Sequence, residues 1–339
     1  MEAAPAKAVT VRERRRWARA GFAPARFAPA LALLALTTPA LAEAPAAAPA
    51  PAVAPDLRAA MEKADAGTPA DLTALADSGR ADAQYYAALM YLNGRGAPPD
   101  PARGCAYAQK ASAARADAMF LVGQCRRRGV GGKPDPEAAK AAFSRAADMG
   151  FAAAKCALGQ MLLDDPAQAA RGVDLCRQGA QAGDVGAQLK LGDAYYAGKV
   201  VAKDRAEARR WYEMAARQGS PEASRKLGSM YAAGDGGKRD SKRAMELWRT
   251  AEKGGDPLTP ILVADELFSQ LTGGRTPGGG TYAFRGAIPV SDIEAIEDWY
   301  REAQQRDPRP ETQKRAKTAL AVLEGFRQGA QKAAEAGGR

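Results

Sequence analysis

Small and apolar residues recur along the chain in a pattern whose copies start 33 to 36 residues apart. Each copy opens with an alanine, has a small residue five positions later and a bulky one eight positions later, and in four copies a glycine follows three residues after that. These positions share one side of an α-helix, and the glycine suits its left-handed C-cap. The pattern predicts one amphipathic helix per copy, named helix A. The five opening alanines are Ala83, Ala118, Ala154, Ala187 and Ala223.

A second helix, named helix B, is predicted later in each copy. Four copies place an aspartate seventeen positions after the opening alanine, at Asp100, Asp135, Asp204 and Asp240. An aspartate there accepts hydrogen bonds from the free N–H groups at a helix start. Two of these aspartates precede a proline, which is tolerated at the first helical position. Each copy is therefore a hairpin of two helices, and one hairpin alone leaves apolar faces uncovered.

Stacked hairpins share a continuous core, so the repeat predicts an all-α solenoid. The clearest copy reads Ala187-Gln-Leu-Lys-Leu-Gly-Asp-Ala-Tyr-Tyr-Ala-Gly198, then Asp204, then Ala208-Arg-Arg-Trp-Tyr-Glu-Met-Ala-Ala-Arg-Gln-Gly219. It resembles the Sel-1-like repeat family, which is related to the tetratricopeptide repeats. The resemblance covers about residues 81–255 and implies a right-handed superhelical α/α solenoid. The third copy departs from it through a short loop with Asp164-Asp165, and the second has Arg126 where an aromatic residue belongs.

These patterns divide the chain into six predicted segments. They are a signal peptide at 1–42, an Ala/Pro-rich linker at 43–55, an N-terminal helical cap at 56–80, five repeats at 81–255, a degenerate sixth repeat at 256–308 that contains a Gly-rich insertion at 272–290, and a C-terminal capping helix with a tail at 309–339.

The first 42 residues have the pattern of an export signal. A basic, Arg-rich stretch precedes the apolar run Phe27–Ala42, which ends in Ala40-Leu41-Ala42, a small-x-small cleavage pattern. The run is short and interrupted by proline, unlike a membrane span. We therefore expect cleavage after Ala42 and a periplasmic or secreted protein without a transmembrane span. The alternative is an uncleaved membrane anchor.

The amino-acid composition excludes several kinds of catalytic and metal-binding site. The chain contains no histidine, which removes Ser-His-Asp and Cys-His nucleophiles and His-ligated metals. The net charge is +10, but half of it lies within residues 1–42, and no basic face or motif for nucleic acid follows. Carboxylates such as Asp164 and Glu297 are tied to no base or pocket. We therefore predict no enzyme, no cofactor, no metal and no nucleic-acid partner.

Four cysteines lie in two pairs with a spacing of twenty residues, without a CxxC motif. In an exported chain they are expected to form disulfides rather than a zinc site. Helix B of one copy packs against helix A of the next, which favours a Cys105–Cys125 bond. Cys156 and Cys176 are expected far apart in an ideal hairpin, so their pairing stays open, the alternative being two small buried thiols.

The Gly-rich segment at 272–290 interrupts the sixth repeat. It lacks the GxxxxGK[ST] motif and a preceding strand, which excludes a phosphate loop. The run Thr281–Arg285 alternates as a short strand does. Two hypotheses remain, a binding lip beside the solenoid and a disordered insertion between helices.

In tetratricopeptide-like arrays helix A lines the concave surface, so the resemblance implies a partner-binding groove there. Aromatic and arginine side chains recur at those positions, as they do in interfaces. Arg126-Arg127-Arg128 is suited to an acidic peptide or a carboxylated sugar. The predicted contact residues are Tyr85, Phe120, Gln124, Arg127, Arg128, Gln160, Asp193, Tyr196 and Arg225.

The resemblance implies a non-catalytic scaffold or regulatory adaptor of the cell envelope that binds a protein or peptide. The alternative is an assembly factor that binds cell-wall polysaccharide or peptidoglycan, with Tyr85, Phe120 and Tyr196 stacking on sugars.

Overall fold

The computed structural model describes residues 53–165, 167–274, 277 and 289–337, with side chains up to Lys332. This part of the chain contains fifteen α-helices and no β-strand, which confirms the predicted all-α solenoid. It forms two compact units, 53–218 and 219–337. The predicted signal peptide, most of the linker and most of the Gly-rich insertion, including Thr281–Arg285, lie outside the described residues and stay predictions. Within the described ranges, no helix has both the length and the apolar composition needed to cross a bilayer.

The unit 53–218 contains two cap helices followed by four helix A–helix B hairpins. Its helices are α1 (Pro55–Asp65), α2 (Ala70–Asp77), α3 (Ala81–Asn93), α4 (Pro101–Ala111), α5 (Ala116–Arg128), α6 (Pro136–Asp148), α7 (Ala152–Leu162), α8 (Ala169–Gln181), α9 (Val185–Ala197) and α10 (Arg205–Arg217).

The unit 219–337 contains two hairpins and a long final helix. Its helices are α11 (Pro221–Ala233), α12 (Ser241–Lys253), α13 (Thr259–Leu271), α14 (Val290–Arg306) and α15 (Pro310–Gly337). Helix α13 follows the pattern of another helix A, and α14 carries Tyr300, whose ring packs edge-on to Phe268 at 6.4 Å between centroids. Both side chains are fully buried in the core of this unit.

The predicted N-caps are present in four hairpins. The carboxylate of Asp135, for example, accepts a hydrogen bond from the backbone N–H of Ala138 at 2.9 Å. The backbone N–H of Asp135 in turn donates to the carbonyl of Arg126 at 2.9 Å, near the end of the preceding helix A. The same pair of contacts forms at Asp100, Asp204 and Asp240. Each aspartate thus starts helix B and ties it to helix A.

The small residue in the middle of helix A allows an aromatic ring of helix B to pack on the backbone. A Cβ added at Gly123 would lie 2.5 Å from Cε1 of Phe143, and one at Gly192 would lie 2.6 Å from Cε1 of Tyr212. The first copy has Ala88 at this position, and there Tyr107 stacks on Tyr91 at 6.0 Å. These close approaches join the two helices of each hairpin.

The Cys105–Cys125 disulfide joins α4 to α5, with 6.0 Å between the Cα atoms. It links helix B of the first copy to helix A of the second, as predicted from their packing. The bond therefore crosses from one repeat to the next.

The second disulfide corrects the expectation that Cys156 and Cys176 lie far apart. Their Cα atoms are 3.8 Å apart, and the bond joins α7 to α8 within the third hairpin. Gly159 of α7 faces Gly172 of α8, and a Cβ on Gly172 would lie 2.6 Å from the carbonyl oxygen of Gly159. The two glycines let the helices approach more closely than an ideal hairpin, and Cys176 takes the place that the aromatic ring has in other copies.

Candidate partner-binding surface

Eight of the nine predicted contact residues lie in the unit 53–218, on helices α3, α5, α7 and α9. Each of these is a helix A, which confirms the helical placement that the repeat predicts. Their role in binding stays a prediction. The nine residues differ in how much of each side chain is used in contacts within the protein.

Tyr85 is half-buried at the contact between the first two copies. Its ring packs edge-on to Tyr86 at 5.4 Å, and the guanidinium of Arg115 lies 4.7 Å from its centroid. Arg115 is held in place by an ion pair with Asp117, its Nη2 lying 2.6 Å from Oδ2. Burial raises the pKa of the Tyr85 hydroxyl, and the charge of Asp117 adds to the effect. Tyr85 therefore remains a neutral donor at physiological pH.

Phe120 contributes more to packing than to the surface. Its ring lies 5.5 Å from that of Phe143 and 5.2 Å from that of Phe151, measured between centroids. It belongs to the apolar residues that pack against the core of the unit. Only the outer part of this side chain is available to a partner.

The end of α5 presents the most accessible cations of the predicted set. Arg126, Arg127 and Arg128 are all exposed. Arg127 donates a hydrogen bond from Nη2 to Oε1 of Gln124 at 2.6 Å. Among the described residues, no carboxylate forms an ion pair with any of the three arginines. Their positive charges interact favourably with the negative, C-terminal end of the α5 helix dipole. The same charges stay available to an anionic group.

The fourth copy contributes an exposed aromatic residue. Tyr196 is 38% exposed, which is high for a tyrosine, and the guanidinium of Arg205 lies 4.4 Å from its ring centroid. Asp193, one turn earlier on α9, accepts a hydrogen bond from the hydroxyl of Tyr212 at 2.6 Å. Tyr196 thus faces solvent, whereas Asp193 joins the two helices of its hairpin. Gln160 of the third copy is half-buried.

Arg225, the ninth predicted residue, lies on α11 in the unit 219–337. Its Nε is 2.9 Å from Oδ2 of Asp256, and the two side chains are only 18% and 7% exposed. Its carbonyl oxygen accepts a hydrogen bond from the indole N–H of Trp248 at 3.1 Å. Arg225 therefore stabilises its own unit through a largely buried ion pair.

Sequence reasoning missed an apolar cavity between the cap and the first repeat. It has a volume of about 260 Å³ and lies among α1, α2 and α3. Met61, Leu72, Leu89 and Met90 form its apolar walls, and Arg95 lies at its rim. No periodic signal marks it, because the three helices belong to two different pattern segments.

The described residues hold no cluster of three or more Cys, Asp or Glu side chains arranged to bind a metal. The most perturbed carboxyl is Asp265, where burial raises the pKa to about 6 although Arg315 and Tyr300 favour its charged form. Asp265 accepts a hydrogen bond from the Tyr300 hydroxyl at 2.9 Å and pairs with Arg315 at 2.8 Å. Structural ion pairs of this kind perturb pKa values without catalysis.

The stacked hairpins and their exposed aromatic and cationic side chains define a repeat protein of the interaction class. The family model described as Sel1 repeat matches residues 81–114, 116–151, 185–220 and 221–256. The chain belongs to the Sel1 repeat family, whose members generally mediate protein–protein interactions. The third hairpin, α7 and α8, falls between the matched ranges, in agreement with its short loop and its disulfide.

Several solved structures are similar to the chain. A Sel1 repeat protein from Oxalobacter formigenes is 30% identical, with a TM-score of 0.49 over 58% of this chain and 86% of that one. The antigen c5321 of uropathogenic Escherichia coli, which displays the same repeat fold, is 24% identical, with a TM-score of 0.48 over 70% of this chain and 49% of that one. Immunity protein Pa5087 from Pseudomonas aeruginosa is 18% identical, with a TM-score of 0.48 over 60% and 83%. Among curated proteins, none matches the chain.

Proposed function

We propose that this protein is an exported, non-catalytic adaptor of the cell envelope that binds an acidic segment of a partner protein through helix A residues of its repeats. Membership in the Sel1 repeat family supports the general role. Two disulfide bonds fit an extracytoplasmic location, because such bonds persist in oxidising compartments.

The observation that carries the proposal is the unpaired arginine group at the end of α5. Arg127 and Arg128 are exposed and have no carboxylate partner among the described residues. Arginine binds carboxylates through two parallel hydrogen bonds, and such contacts are common in interfaces. An acidic peptide segment satisfies both charges at once.

A crosslinked pull-down from the envelope fraction of the producing cells tests the proposal with the full chain as bait. The test variant carries Arg127→Glu and Arg128→Glu. The matched control carries Arg145→Glu and Arg171→Glu, which reverse two exposed cations on helix B segments and change the net charge equally. We expect one partner to be captured by the wild type and by the control, and to be lost from the test variant.

Equal capture by both variants contradicts a role for the arginine group. Recovery of glycan without protein contradicts the adaptor and favours the cell-wall alternative, for which the exposed ring of Tyr196 is the stacking candidate. A Tyr196→Ala variant then separates the two, since sugar stacking depends on that ring.

A further inference from the structure

The cavity between α1, α2 and α3 has a lining and a volume that suit one apolar side chain. Four apolar side chains, Met61, Leu72, Leu89 and Met90, form its walls. An apolar cavity of roughly 150 Å³ already holds a benzene molecule. The volume of about 260 Å³ is therefore sufficient for the side chain of a phenylalanine or a leucine.

The rim of the cavity is polar and held by the fold. Arg95 donates from Nη2 to Oδ2 of Asp65 at 2.7 Å, and Asn93 also lines the opening. Gly96, with a φ of 83°, brings the loop after α3 so close to the carbonyl of Ala64 that a Cβ does not fit. This contact fixes the loop against the end of α1 and holds the neighbouring Arg95 at the rim of the pocket.

We propose that this pocket receives one large apolar side chain, of the phenylalanine or leucine type, from the same acidic partner segment that Arg127 and Arg128 bind; the inference rests on the proposed function. The identity of the occupant follows from the charge of the two arginines and from the positions that both sites occupy within their repeats. Leu89 and Asn93 stand six and ten positions after Ala83, and Gln124 and Arg128 stand six and ten positions after Ala118. The pocket and the arginines thus occupy equivalent positions on consecutive helix A segments.

The distance between the two sites suits a short peptide. Packed helix axes are about 8–10 Å apart. One helix B separates consecutive helix A segments, so their axes lie within roughly 20 Å of each other. An extended peptide spans about 3.3 Å per residue, so about six residues connect the pocket to the arginines.

Methionine methyl groups report directly on occupancy. The chain contains nine methionines, and Met61 and Met90 line the pocket. In the full chain labelled with [methyl-13C]methionine, Met61→Leu and Met90→Leu assign the two signals. We expect N-acetyl-phenylalaninamide and N-acetyl-leucinamide to shift both signals saturably at millimolar concentration, and N-acetyl-glycinamide to leave them unchanged.

Leu89→Trp fills the pocket, and we expect it to weaken the phenylalanine probe at least tenfold. Leu189→Trp is the matched control, since Leu189 is another half-buried leucine on a helix A segment. Leu89→Ser is a second variant that makes the wall polar without adding bulk, and it is also expected to weaken binding. Unshifted methyl signals in the wild type, or undiminished binding in both Leu89 variants, overturn the pocket.

Two peptides separate the pocket from the proposed function. Each carries one phenylalanine, six Gly/Ser residues and four charged residues, either all Asp/Glu or all Lys. We expect the acidic peptide to bind the full chain at least tenfold more tightly than the lysine peptide. The variant with Arg127→Glu and Arg128→Glu is expected to lose this preference, and the control with Arg145→Glu and Arg171→Glu to keep it.

The two possible failures differ in these assays. If Leu89→Trp abolishes binding of both peptides and charge makes no difference, the pocket stands and the acidic partner is wrong. If the arginine reversals abolish binding and both Leu89 variants do not, the arginine surface stands and the pocket is wrong.

Discussion

Gly123 determines how closely two helices of the second hairpin approach. In Gly123→Ala the new Cβ overlaps the ring of Phe143, which is fully buried and therefore cannot move aside. Overpacking of this kind costs about 1–3 kcal/mol. We expect a lower urea midpoint in far-UV circular dichroism. Gly132→Ala is the matched control in the same copy, because a Cβ there meets open space, and an equal loss in both variants contradicts this account.

Asp265 makes stability depend on pH in the acidic range. Its carboxyl has a pKa of about 6 in the folded protein against 3.8 ordinarily, so the folded state holds the proton more tightly. The free energy of unfolding therefore decreases as pH rises from about 4 to 7, by about 2–3 kcal/mol for a shift of this size. Asp265→Asn removes this titration and keeps an acceptor for the Tyr300 hydroxyl.

The measurement is the difference in unfolding free energy between the wild type and Asp265→Asn at several pH values. We expect the wild type to lose stability relative to the variant as pH rises through 6. Arg309 lowers the pKa of Asp307 to about 2, so that carboxylate stays charged across the whole window. A difference that does not change between pH 4 and 7 rules out the raised pKa of Asp265.

The structural role of a single residue could be predicted where the same residue type recurs at the same position of several repeats. Asp135 and its equivalents were identified as N-caps because spacing and residue type agree with one local hydrogen bond. The environment of Arg225 could not be predicted, since its partner Asp256 lies 31 residues away, at the start of the next predicted segment. The sequence shows that a charge is present, and only the packed helices show whether it is already paired.

At the scale of elements, the two disulfides define a chemical test of the hairpin register. Trypsin cleaves between the cysteines, so each falls in its own peptide. Under non-reducing conditions we expect peptide 104–110 linked to peptide 116–126, and peptide 156–171 linked to peptide 172–177. Mass spectrometry before and after reduction identifies the pairs, and any cross-pairing, such as Cys125 with Cys156, contradicts the helix order.

The element pattern was predictable because helix A and helix B follow from local periodicity and capping. The close contact of α7 and α8 was not, because it depends on two glycines facing each other across a hairpin. Gly159 occupies the small-residue position of its helix A, whereas no pattern in the sequence marks Gly172. Only their alignment across the short loop brings Cys156 and Cys176 within bonding distance. Periodicity and capping determine which helices form, whereas the distance between two helices depends on pairs of residues that face each other across them.

At the scale of the whole molecule, the pocket is the part of the candidate site that the sequence could not indicate. The cap residue Met61 and the repeat residue Leu89 belong to segments with different patterns, and only the packing of three helices brings them together. The arginine group was predictable, because a run of three cations at a helix end is visible directly. A surface feature made by one segment can be predicted, and one shared by several segments requires the fold.

The predicted export signal determines where the protein is located and at which residue the mature chain begins. Ala40 and Ala42 satisfy the requirement of signal peptidase for small side chains, so the mature protein is expected to begin at Glu43. N-terminal sequencing of the protein from the periplasmic fraction checks this. Ala40→Arg and Ala42→Arg, introduced together, are expected to leave the longer precursor with the membrane fraction. Precursor that stays full length in the wild type supports the uncleaved anchor instead. Retention of the wild type in the cytoplasm with all four cysteines reduced contradicts export altogether, since the disulfides need an oxidising compartment.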